Sequence, residues 1–331
     1  MFRRGAFTTK NGKVGDPPLA RHIEYEPITS KSILNQVSAP SMPFRWSINP
    51  YRGCQHGCSF CYARSTHSFL GIAADDTFQN HIFLKSNAVE ALEGQLRKMS
   101  RSRGGLRGLD YVAIGTATDP YQPVEANAKL TRGCLEVLAK YGVSVSLTTR
   151  SPLILRDLDL LSNMSVCSIN ISINTLDKKV WKALEPSTPS PMKRLETVQA
   201  LSEAGITAGV FMAPILPHLT DRLEDLEELV RLTAQHRASF CLGARFLRLS
   251  TSEVKVWFFE TLRQHYPHLV AKYAALFSGS GYTPKHYREP IEAAIGRMLN
   301  QHGLDSKDAL RREKLVAAEE EAEPVQLSFS F

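Results

Sequence analysis

The sequence predicts an α/β fold in which six β-α units form a partial, open barrel. Stretches rich in β-forming residues alternate with stretches of helical spacing along most of the 331 residues. This alternation is typical of a parallel sheet with right-handed crossovers. Six repeats are fewer than the eight of a closed barrel, so we expect the sheet to stay open. The apolar content of 43% is enough for a sizeable core and excludes a wholly disordered chain.

The predicted strands and helices follow one another in the order that this fold requires. Apolar residues recur at helical spacing in the predicted helices, whereas the strands are short and β-rich. The strands cover residues 44–48, 111–118, 143–149, 166–173, 208–216 and 240–249. The helices cover residues 88–99, 130–141, 153–161, 177–184, 192–204 and 223–235.

Three further segments flank this core of residues 44–250. Residues 1–43 are polar and contain proline, which predicts an extended arm or cover. Residues 251–304 are helical and rich in aromatic residues, so we expect a cap over the open side of the barrel. Residues 305–331 include an acidic run, and such runs are normally disordered.

Composition favours a cytoplasmic protein and permits an acidic partner. No run of eighteen apolar residues is present, so we expect no membrane span. The N-terminal residues lack the apolar stretch of a signal peptide. The net charge of +7 allows a polyanion such as nucleic acid to bind without requiring one.

Cys54, Cys58 and Cys61 form a C-x3-C-x2-C pattern, and clustered cysteines in a cytosolic chain favour metal over disulfides. Three thiolates on one loop can each bind one iron of a [4Fe–4S] cubane and leave the fourth iron open. That iron can chelate S-adenosylmethionine, whose reductive cleavage gives methionine and a 5′-deoxyadenosyl radical. Gly53 and Gly57 supply the permissive backbone that such a loop needs.

A structural zinc site is the alternative interpretation of these cysteines. Zinc sites usually pair two short clusters to reach four ligands. No second pair of closely spaced cysteines or histidines follows here, although His56 or His67 could supply a fourth ligand.

The motif residues resemble a known family. Asn49-Pro50-Tyr51-Arg52-Gly53-Cys54 and the two following cysteines, with an aromatic Phe60 before the third, resemble the spore photoproduct lyase-like branch of the radical S-adenosylmethionine (radical SAM) superfamily. Within that branch the chain is more similar to uncharacterised bacterial members than to the spore enzyme. The resemblance spans about residues 44–250 and continues through Thr118-Asp119-Pro120, Thr149-Arg150, Ser172-Ile173-Asn174 and residues 185–191 and 213–215.

This resemblance implies a (β/α)6 barrel of the radical SAM type, with the cluster and the cofactor at the C-terminal ends of the strands and an external one-electron reductant. Arg150 would pair with the carboxylate of S-adenosylmethionine, and Asp119 would accept from its amino group or ribose. Tyr62 would serve in catalysis beside the three cysteines. The implied cofactor-binding residues are Tyr62, Thr118, Asp119, Arg150, Ser172 and Asn174.

For each of these residues the alternative is a cap or turn residue that stabilises a loop. Glu185 stands in the family-like stretch of residues 185–191, and a site role and a surface role are evenly balanced for it.

The sequence departs from the spore enzyme at the residues that return a hydrogen atom to the substrate. The resemblance implies a cysteine on the second strand and two tyrosines beside the cluster motif. Thr116 and Phe60 stand at two of these positions, and only Tyr62 remains. A threonine O–H bond is too strong to replace a thiol as the hydrogen donor. We therefore do not expect photoproduct reversal by the same relay.

The remaining cysteines offer no replacement for that donor. Cys134, Cys167 and Cys241 are scattered singly along the chain, and we interpret all three as small core residues.

The sequence leaves the substrate unidentified, with damaged nucleic acid as one candidate. The basic run over residues 97–107 falls on the face opposite the cluster, where basic residues complement a helix dipole. The better candidates for contact with a polyanion are Arg52, Arg64, Lys285, His286 and Arg288. The alternative function is a DNA-associated iron–sulfur redox or scaffold protein without turnover.

The last six residues resemble the peptides by which bacterial repair proteins dock on the sliding clamp. Gln326 would bind in the clamp groove, while Leu327, Phe329 and Phe331 would fill apolar pockets. Phe329 stands where leucine or methionine is usual. The alternative is that these residues pack on the barrel or fray.

Overall fold

A computed structural model describes residues 23–39, 42–68, 71–72, 75–243 and 245–304. Its main sheet has seven strands. These are β2 (Leu34–Gln36), β3 (Trp46–Ile48), β6 (Val112–Ile114), β7 (Val145–Thr149), β8 (Val166–Ser172), β9 (Ala208–Phe211) and β10 (Phe240–Leu242). The spatial order is β10-β9-β8-β7-β6-β3-β2. Six of these strands, β3, β6, β7, β8, β9 and β10, pair in parallel and in chain order, while β2 pairs antiparallel to β3. The six parallel strands confirm the predicted open arrangement.

Helices connect the parallel strands as predicted, except that the helix predicted over residues 153–161 is a 3-10 helix (Pro152–Asp157) followed by one short α-helix. The longer connecting helices are α3 (Ala88–Ser100), α5 (Leu130–Lys140), α7 (Lys178–Leu184), α8 (Pro191–Glu203) and α9 (Leu223–Gln235). The shorter ones are α1 (Ser65–Ser68), α2 (Thr77–Asn80), α4 (Glu125–Ala128) and α6 (Leu158–Leu161). Local signals set where they begin. At α8, for example, the Ser190 hydroxyl accepts from the Lys193 N–H and Pro191 occupies the first helical position.

One apolar core fills the space between the main sheet and its helices. Val145, Ile169 and Val210 from three adjacent strands are fully buried, as are Leu135 and Leu195 from the covering helices. A strand that is buried on both faces has a nearly continuous apolar sequence, which is typical of a parallel sheet.

Three strands end earlier than the sequence predicts. The strand predicted over residues 111–118 ends at Ile114, because Gly115 adopts a φ of 95° and lies against the Thr148 carbonyl. β9 and β10 end at Phe211 and Leu242, and a single parallel bridge then joins Ile215 to Phe246. The polar residues expected at the strand ends therefore lie partly in the loops that follow.

The structure also contains a second sheet that the sequence did not predict. It consists of β1 (Glu24–Ile28), β4 (Tyr51–Arg52) and β5 (His81–Lys85). β5 pairs in parallel with β1 and antiparallel with β4. Residues 23–39 thus do more than cover the core, because they contribute one strand to each sheet. Most of β1 is exposed, so its sequence carries no alternation of apolar residues.

Further contacts hold both margins of the main sheet. At β2, the Gln95 side chain on α3 accepts from the N–H groups of Ile33 (2.8 Å) and Leu34 (3.0 Å) and donates to the Leu34 carbonyl (3.0 Å). At β10, the Cys241 N–H donates to the Leu304 carbonyl (3.1 Å), where the chain returns after the last helix.

The segment after β10 forms the expected helices, α10 (Ser252–His265), α11 (Val270–Leu276) and α12 (Lys285–Gln301). Phe258, Leu262 and Tyr273 of this segment pack in a second apolar cluster with Cys58 and Phe60. Among the described helices, none combines the length and apolar character needed to cross a lipid bilayer. Residues 305–331, with the predicted clamp-docking peptide, lie outside the described residues, and docking stays a prediction.

Candidate active site and cluster-binding loop

The three clustered cysteines lie on one loop between β4 and the short 3-10 helix Tyr62–Arg64. Cys54 and Cys58 are buried and Cys61 is partly exposed. The Cys54 N–H donates to the Phe78 carbonyl (3.0 Å). On the other side of the loop, the Ser59 N–H donates to the Leu184 carbonyl (2.9 Å). The loop is therefore tied to α2 at one end and to α7 at the other.

The two glycines of the loop have the role that the sequence indicates. Gly53 has a φ of 80°, and a Cβ there would lie 2.7 Å from the His81 carbonyl oxygen. Gly57 has a φ of 60°, and a Cβ there would lie 2.7 Å from Gln79 Oε1. Both positions need a left-handed backbone and leave no room for a side chain.

The donor set of this loop fits an iron–sulfur cluster. Burial, together with the charges of Asp119 and Cys61, raises the pKa of Cys54 to about 12. Burial also raises the pKa of Cys58 well above its usual value, although the charge of Arg150 opposes this. Thiolates at these positions need a cationic partner, and the metal ligand is the thiolate rather than the thiol.

The spacing of the three thiols bears on the zinc alternative. Within the described ranges, no three Cys, His, Asp or Glu side chains converge closely enough to hold a single metal ion. A structural zinc ion requires four ligands around one point, whereas a cubane binds each thiolate through a different iron. A cubane therefore does not require the three thiols to meet at one point.

Two buried side chains hold the backbone of the cysteine loop. Gln122 accepts from the Gln55 N–H (3.0 Å) and donates to the Gly53 carbonyl (3.3 Å). Arg64 donates to the Cys58 carbonyl (3.2 Å) through Nε. The prediction that Arg64 meets a polyanionic substrate was wrong, because this side chain is fully buried beneath the loop.

Asp119 organises the loop after β6. Its Oδ1 accepts from the Thr149 hydroxyl (2.6 Å) and the Tyr121 N–H (2.9 Å), and its Oδ2 accepts from the Arg150 N–H (2.7 Å). Oδ2 also lies 3.3 Å from His56 Nε2. Burial alone would raise the pKa of Asp119, but His56 and these donors lower it to about 2. A carboxylate has about four acceptor positions. The contacts give Asp119 a positioning role in this loop, and its predicted contact with an amino group or ribose stays a prediction.

Glu185 is buried at the site and joins two arginines. Its Oε1 lies 3.1 Å from Arg150 Nε, and its Oε2 lies 2.5 Å from Arg194 Nη2. Arg194 also donates to the Ser172 carbonyl (2.9 Å), and Cys58 Sγ lies 4.0 Å from Glu185 Oε1. Burial alone would raise the pKa of Glu185, but Arg194 and Arg150 hold it below its usual value. The sequence left Glu185 undecided and missed Arg194, since an arginine in the first turn of a helix is ordinarily exposed.

Thr118, Ser172 and Asn174 lie at the C-terminal edge of the sheet. All three are buried, and the Thr118 hydroxyl has no hydrogen-bond partner among the described residues. Tyr62 is 48% exposed beside Cys61, and its hydroxyl donates to the Thr116 carbonyl. The loop after β6 therefore contacts the cysteine loop directly. The roles predicted for these four residues stay predictions.

Thr116 and Phe60 stand at the positions where the sequence predicts a departure from the hydrogen relay of the spore enzyme, and this departure stays a prediction. The Thr116 hydroxyl accepts from Asn49 Nδ2 (2.9 Å), and Phe60 is buried. Cys134 and Cys241 are buried as predicted, but Cys167 is exposed, which contradicts its interpretation as a core residue. Cys167 lies at the start of β8, before that strand pairs with β9.

The remaining basic candidates lie around the cap and the second sheet. Lys285 and His286 are exposed at the start of α12, whereas Arg52 and Arg288 are half-buried. Lys285 Nζ lies 3.7 Å from Glu289 Oε1.

Comparison with known proteins identifies the family. The model of the radical SAM superfamily matches residues 48–233, which include the cysteine loop and most of the parallel sheet. The chain belongs to the radical SAM superfamily. Its cofactors are accordingly a [4Fe–4S] cluster and S-adenosylmethionine, as the cysteine spacing predicts.

Several relatives of this radical SAM protein are uncharacterised. A protein of Mycobacterium tuberculosis is 33% identical over 287 residues, which cover 85% of this chain and 82% of that protein. A protein of Methanocaldococcus jannaschii is 30% identical over 199 residues, 60% of this chain and 70% of the other. Both agree with the predicted similarity to uncharacterised proteins.

Solved structures confirm the fold. A spore photoproduct lyase variant with bound AdoMet and dinucleoside spore photoproduct superposes with a TM-score of 0.62 and 18% sequence identity. The match covers 89% of this chain and 85% of that chain. The predicted resemblance to the spore photoproduct lyase-like fold is thus confirmed for the architecture.

Proposed function

We propose that this chain is a radical SAM enzyme that holds its cluster through Cys54, Cys58 and Cys61 and abstracts a hydrogen atom from its substrate. The bound cluster supplies the electron that cleaves S-adenosylmethionine to methionine and a 5′-deoxyadenosyl radical. The observation that carries the proposal is the position of the cysteine loop. It lies against the loop that follows β6, and the centre of the Phe60 ring lies 5.9 Å from the guanidinium carbon of Arg150, which follows β7. Active sites of α/β barrels are found at this edge.

A buried polar group at the same edge supports a polar ligand there. The hydroxyl of Thr118 is fully buried and has no partner in the described chain, and Ser172 and Asn174 are buried at the end of β8. A buried polar group without a partner costs about 1–3 kcal/mol. We propose that S-adenosylmethionine removes this cost by bonding to Thr118 and that it also bonds to Ser172 and Asn174.

Arg150 and Tyr62 complete the proposed cofactor site. Arg150 uses Nε to pair with Glu185, and a guanidinium has five N–H donors, so the side chain retains donors for a carboxylate. Asp119 accepts from the Arg150 N–H and so fixes the position of the Arg150 backbone. Tyr62 is exposed beside Cys61, where it would meet the substrate or the cofactor.

Damaged nucleic acid is the substrate class that we propose. The net charge of +7 suits a polyanion, and Lys285 and His286 are exposed on the cap. The spore photoproduct lyase variant of the same fold holds a dinucleoside photoproduct. Because Thr116 stands where the resemblance implies a hydrogen-donating cysteine, we propose that the reaction does not follow that enzyme's relay. Transfer of deuterium from a labelled oligonucleotide into 5′-deoxyadenosine, detected by mass spectrometry, would support this class, and transfer from another labelled substrate alone would exclude it.

Anaerobic reconstitution tests the catalytic proposal. The wild type should gain the absorption of a [4Fe–4S] cluster and release 5′-deoxyadenosine only when dithionite is present. Cys58→Ala should lose both, because the loop then offers two thiolates. Cys134→Ala, which removes a buried thiol on α5 away from the loop, is the matched control and should keep both.

A wild type that binds the cluster but releases no 5′-deoxyadenosine would refute catalysis. Salt-dependent DNA binding by such a protein would then favour the redox or scaffold alternative.

A further inference from the structure

Arg64 is a fully buried guanidinium at the end of the cysteine motif. Its four hydrogen bonds all go to neutral oxygens. Nε donates to the Cys58 carbonyl (3.2 Å), Nη1 to the Asp75 carbonyl (2.6 Å), and Nη2 to the Gly57 carbonyl (3.0 Å) and Gln79 Oε1 (2.7 Å). Across the described part of the chain, no carboxylate forms an ion pair with it. The Asp75 carboxylate instead accepts from Thr77.

The surroundings of Arg64 stabilise a cation but do not neutralise it. Its guanidinium carbon lies 4.4 Å from the centre of the Trp257 ring and 5.3 Å from that of Phe78. Aromatic faces and carbonyl dipoles attract a positive charge. An isolated buried charge nevertheless carries a large desolvation cost unless an opposite charge compensates it.

The groups near Arg64 that can carry negative charge are the three cysteines and Asp75. The guanidinium donates to the Cys58 and Gly57 carbonyls of the cysteine loop, whereas the Asp75 carboxylate accepts from Thr77. The charge of Arg150 also acts on Cys58, but Arg150 is paired with Glu185. Arg64 differs from Arg150 because no carboxylate among the described residues forms an ion pair with it.

We infer that Arg64 is the counter-charge of the iron–sulfur cluster and that its fixed positive charge raises the midpoint potential of the cluster. This inference rests on the proposed ligation by Cys54, Cys58 and Cys61. Reduction adds one negative charge to the cluster, so a fixed cation beside it stabilises the reduced form more than the oxidised form. Net charge around a cluster is one of the factors that set its potential.

Gln79→Glu tests the inference with little change of shape. Gln79 is buried, and its Oε1 already accepts from Arg64. A carboxylate at that place neutralises the guanidinium through an existing contact. Gln264→Glu adds the same charge on an exposed position of α10 and is the matched control.

The measurement is a redox titration of the reconstituted cluster, followed by its absorption and its electron paramagnetic resonance signal, without S-adenosylmethionine. In Gln79→Glu the equilibrium constant for reduction should fall at least tenfold, which is about 59 mV for one electron. Gln264→Glu should match the wild type. Equal potentials in the two variants would overturn the inference.

A second pair of variants tests the charge at Arg64 itself. Arg64→Lys keeps the charge and should hold the potential near that of the wild type, whereas Arg64→Met should lower it. Equal potentials in this pair would overturn the inference even if Gln79→Glu failed to fold. A wild type that binds no cluster would refute both the ligation and the inference. If the cluster binds and its potential is the same in the variants as in the wild type, the inference alone is refuted.

Discussion

His67, on the first turn after the cysteine motif, is a buried side chain in apolar surroundings. Its ring packs edge-on against Phe78 (5.1 Å between centroids) and Phe83 (5.8 Å). Neither ring nitrogen makes a hydrogen bond of normal geometry to the residues that the structure describes. Burial, assisted by the charge of Arg52, lowers the pKa of His67 to about 4. The folded protein therefore keeps this ring neutral.

This environment makes stability depend on pH. An unfolded chain protonates His67 near pH 6.5, while the folded chain resists until about pH 4. Between these values the unfolded state binds more protons, so stability falls as the pH falls. We expect denaturant unfolding of the cluster-free protein at about pH 5 to show a loss of roughly 2 kcal/mol relative to about pH 7.5. His67→Leu should lose less over the same interval, and an equal loss in both proteins would contradict this account.

Local spacing made part of the site predictable. The three cysteines and the two glycines lie within nine residues, so the motif itself indicates what the loop does. Gln122 and Arg194 were not predictable in this way. Gln122 contacts a carbonyl 69 positions earlier, and Arg194 contacts one 22 positions earlier. Nothing in their own neighbourhood in the sequence distinguishes them from exposed polar residues.

At the scale of the elements, the junction between β6 and β7 depends on one glycine. A Cβ at Gly115 would lie 2.2 Å from the Thr148 carbonyl oxygen and 2.9 Å from Pro120 Cδ. The φ of 95° adds backbone strain for any other residue. This turn places Thr118 and Asp119 over the carboxyl ends of the strands.

Gly115→Ala should therefore destabilise the protein by about 1–3 kcal/mol or more, as strained backbone positions do. Gly94→Ala, on α3 with open space around the new methyl group, should be neutral or stabilise the protein by about 0.5–1 kcal/mol. Thermal unfolding of both variants checks the contrast. Similar melting temperatures for the two would show that the β6–β7 junction relaxes more easily than its contacts indicate.

Periodicity determined how well each element was predicted. The helix predicted over residues 223–235 matches α9, because its apolar residues recur at helical spacing and pack on the sheet. β1 and β5 were missed. Their pairing joins segments more than fifty residues apart. Most side chains of β1 are exposed, so apolar and polar residues do not alternate along it.

On the scale of the whole molecule, the cap and the cysteine loop share one apolar cluster. Cys58 and Phe60 from the loop pack with Val254, Phe258 and Leu262 of α10. The same cluster includes Leu184 of α7 and Leu216 from the loop after β9. Order in the cap and order in the loop are therefore coupled through packing.

Phe258→Ala should weaken both parts of this cluster. Removing a buried phenylalanine typically costs about 3–5 kcal/mol, and we expect the cluster absorption to decay faster in air because the apolar cover of Cys58 is loosened. Val256→Ala on the same helix, at a side chain that is 58% exposed, is the control and should change stability by no more than about 0.5 kcal/mol. Unfolding curves and the decay of absorption in air provide the two measurements. Equal decay rates in both variants would show that packing of the cap does not protect the cluster from air.

The overall architecture was predictable where the order of the strands along the chain matches their order in the sheet. The six parallel strands lie side by side in the order in which they occur along the chain. A repeating β-α pattern indicates this order directly. The antiparallel β2 was not foreseen, since three residues carry too short a pattern to recognise.

An open barrel has two margins where backbone groups could serve as a template for another chain, and such margins promote association in concentrated solution. Here the side-chain amide of Gln95 forms hydrogen bonds with backbone groups at β2. The Leu304 carbonyl accepts a hydrogen bond from the backbone N–H of Cys241 in β10. The barrel thus remains open toward its ligands while its flanks discourage edge-to-edge aggregation. This property matters for a protein that must stay dispersed while it is loaded with iron and sulfide.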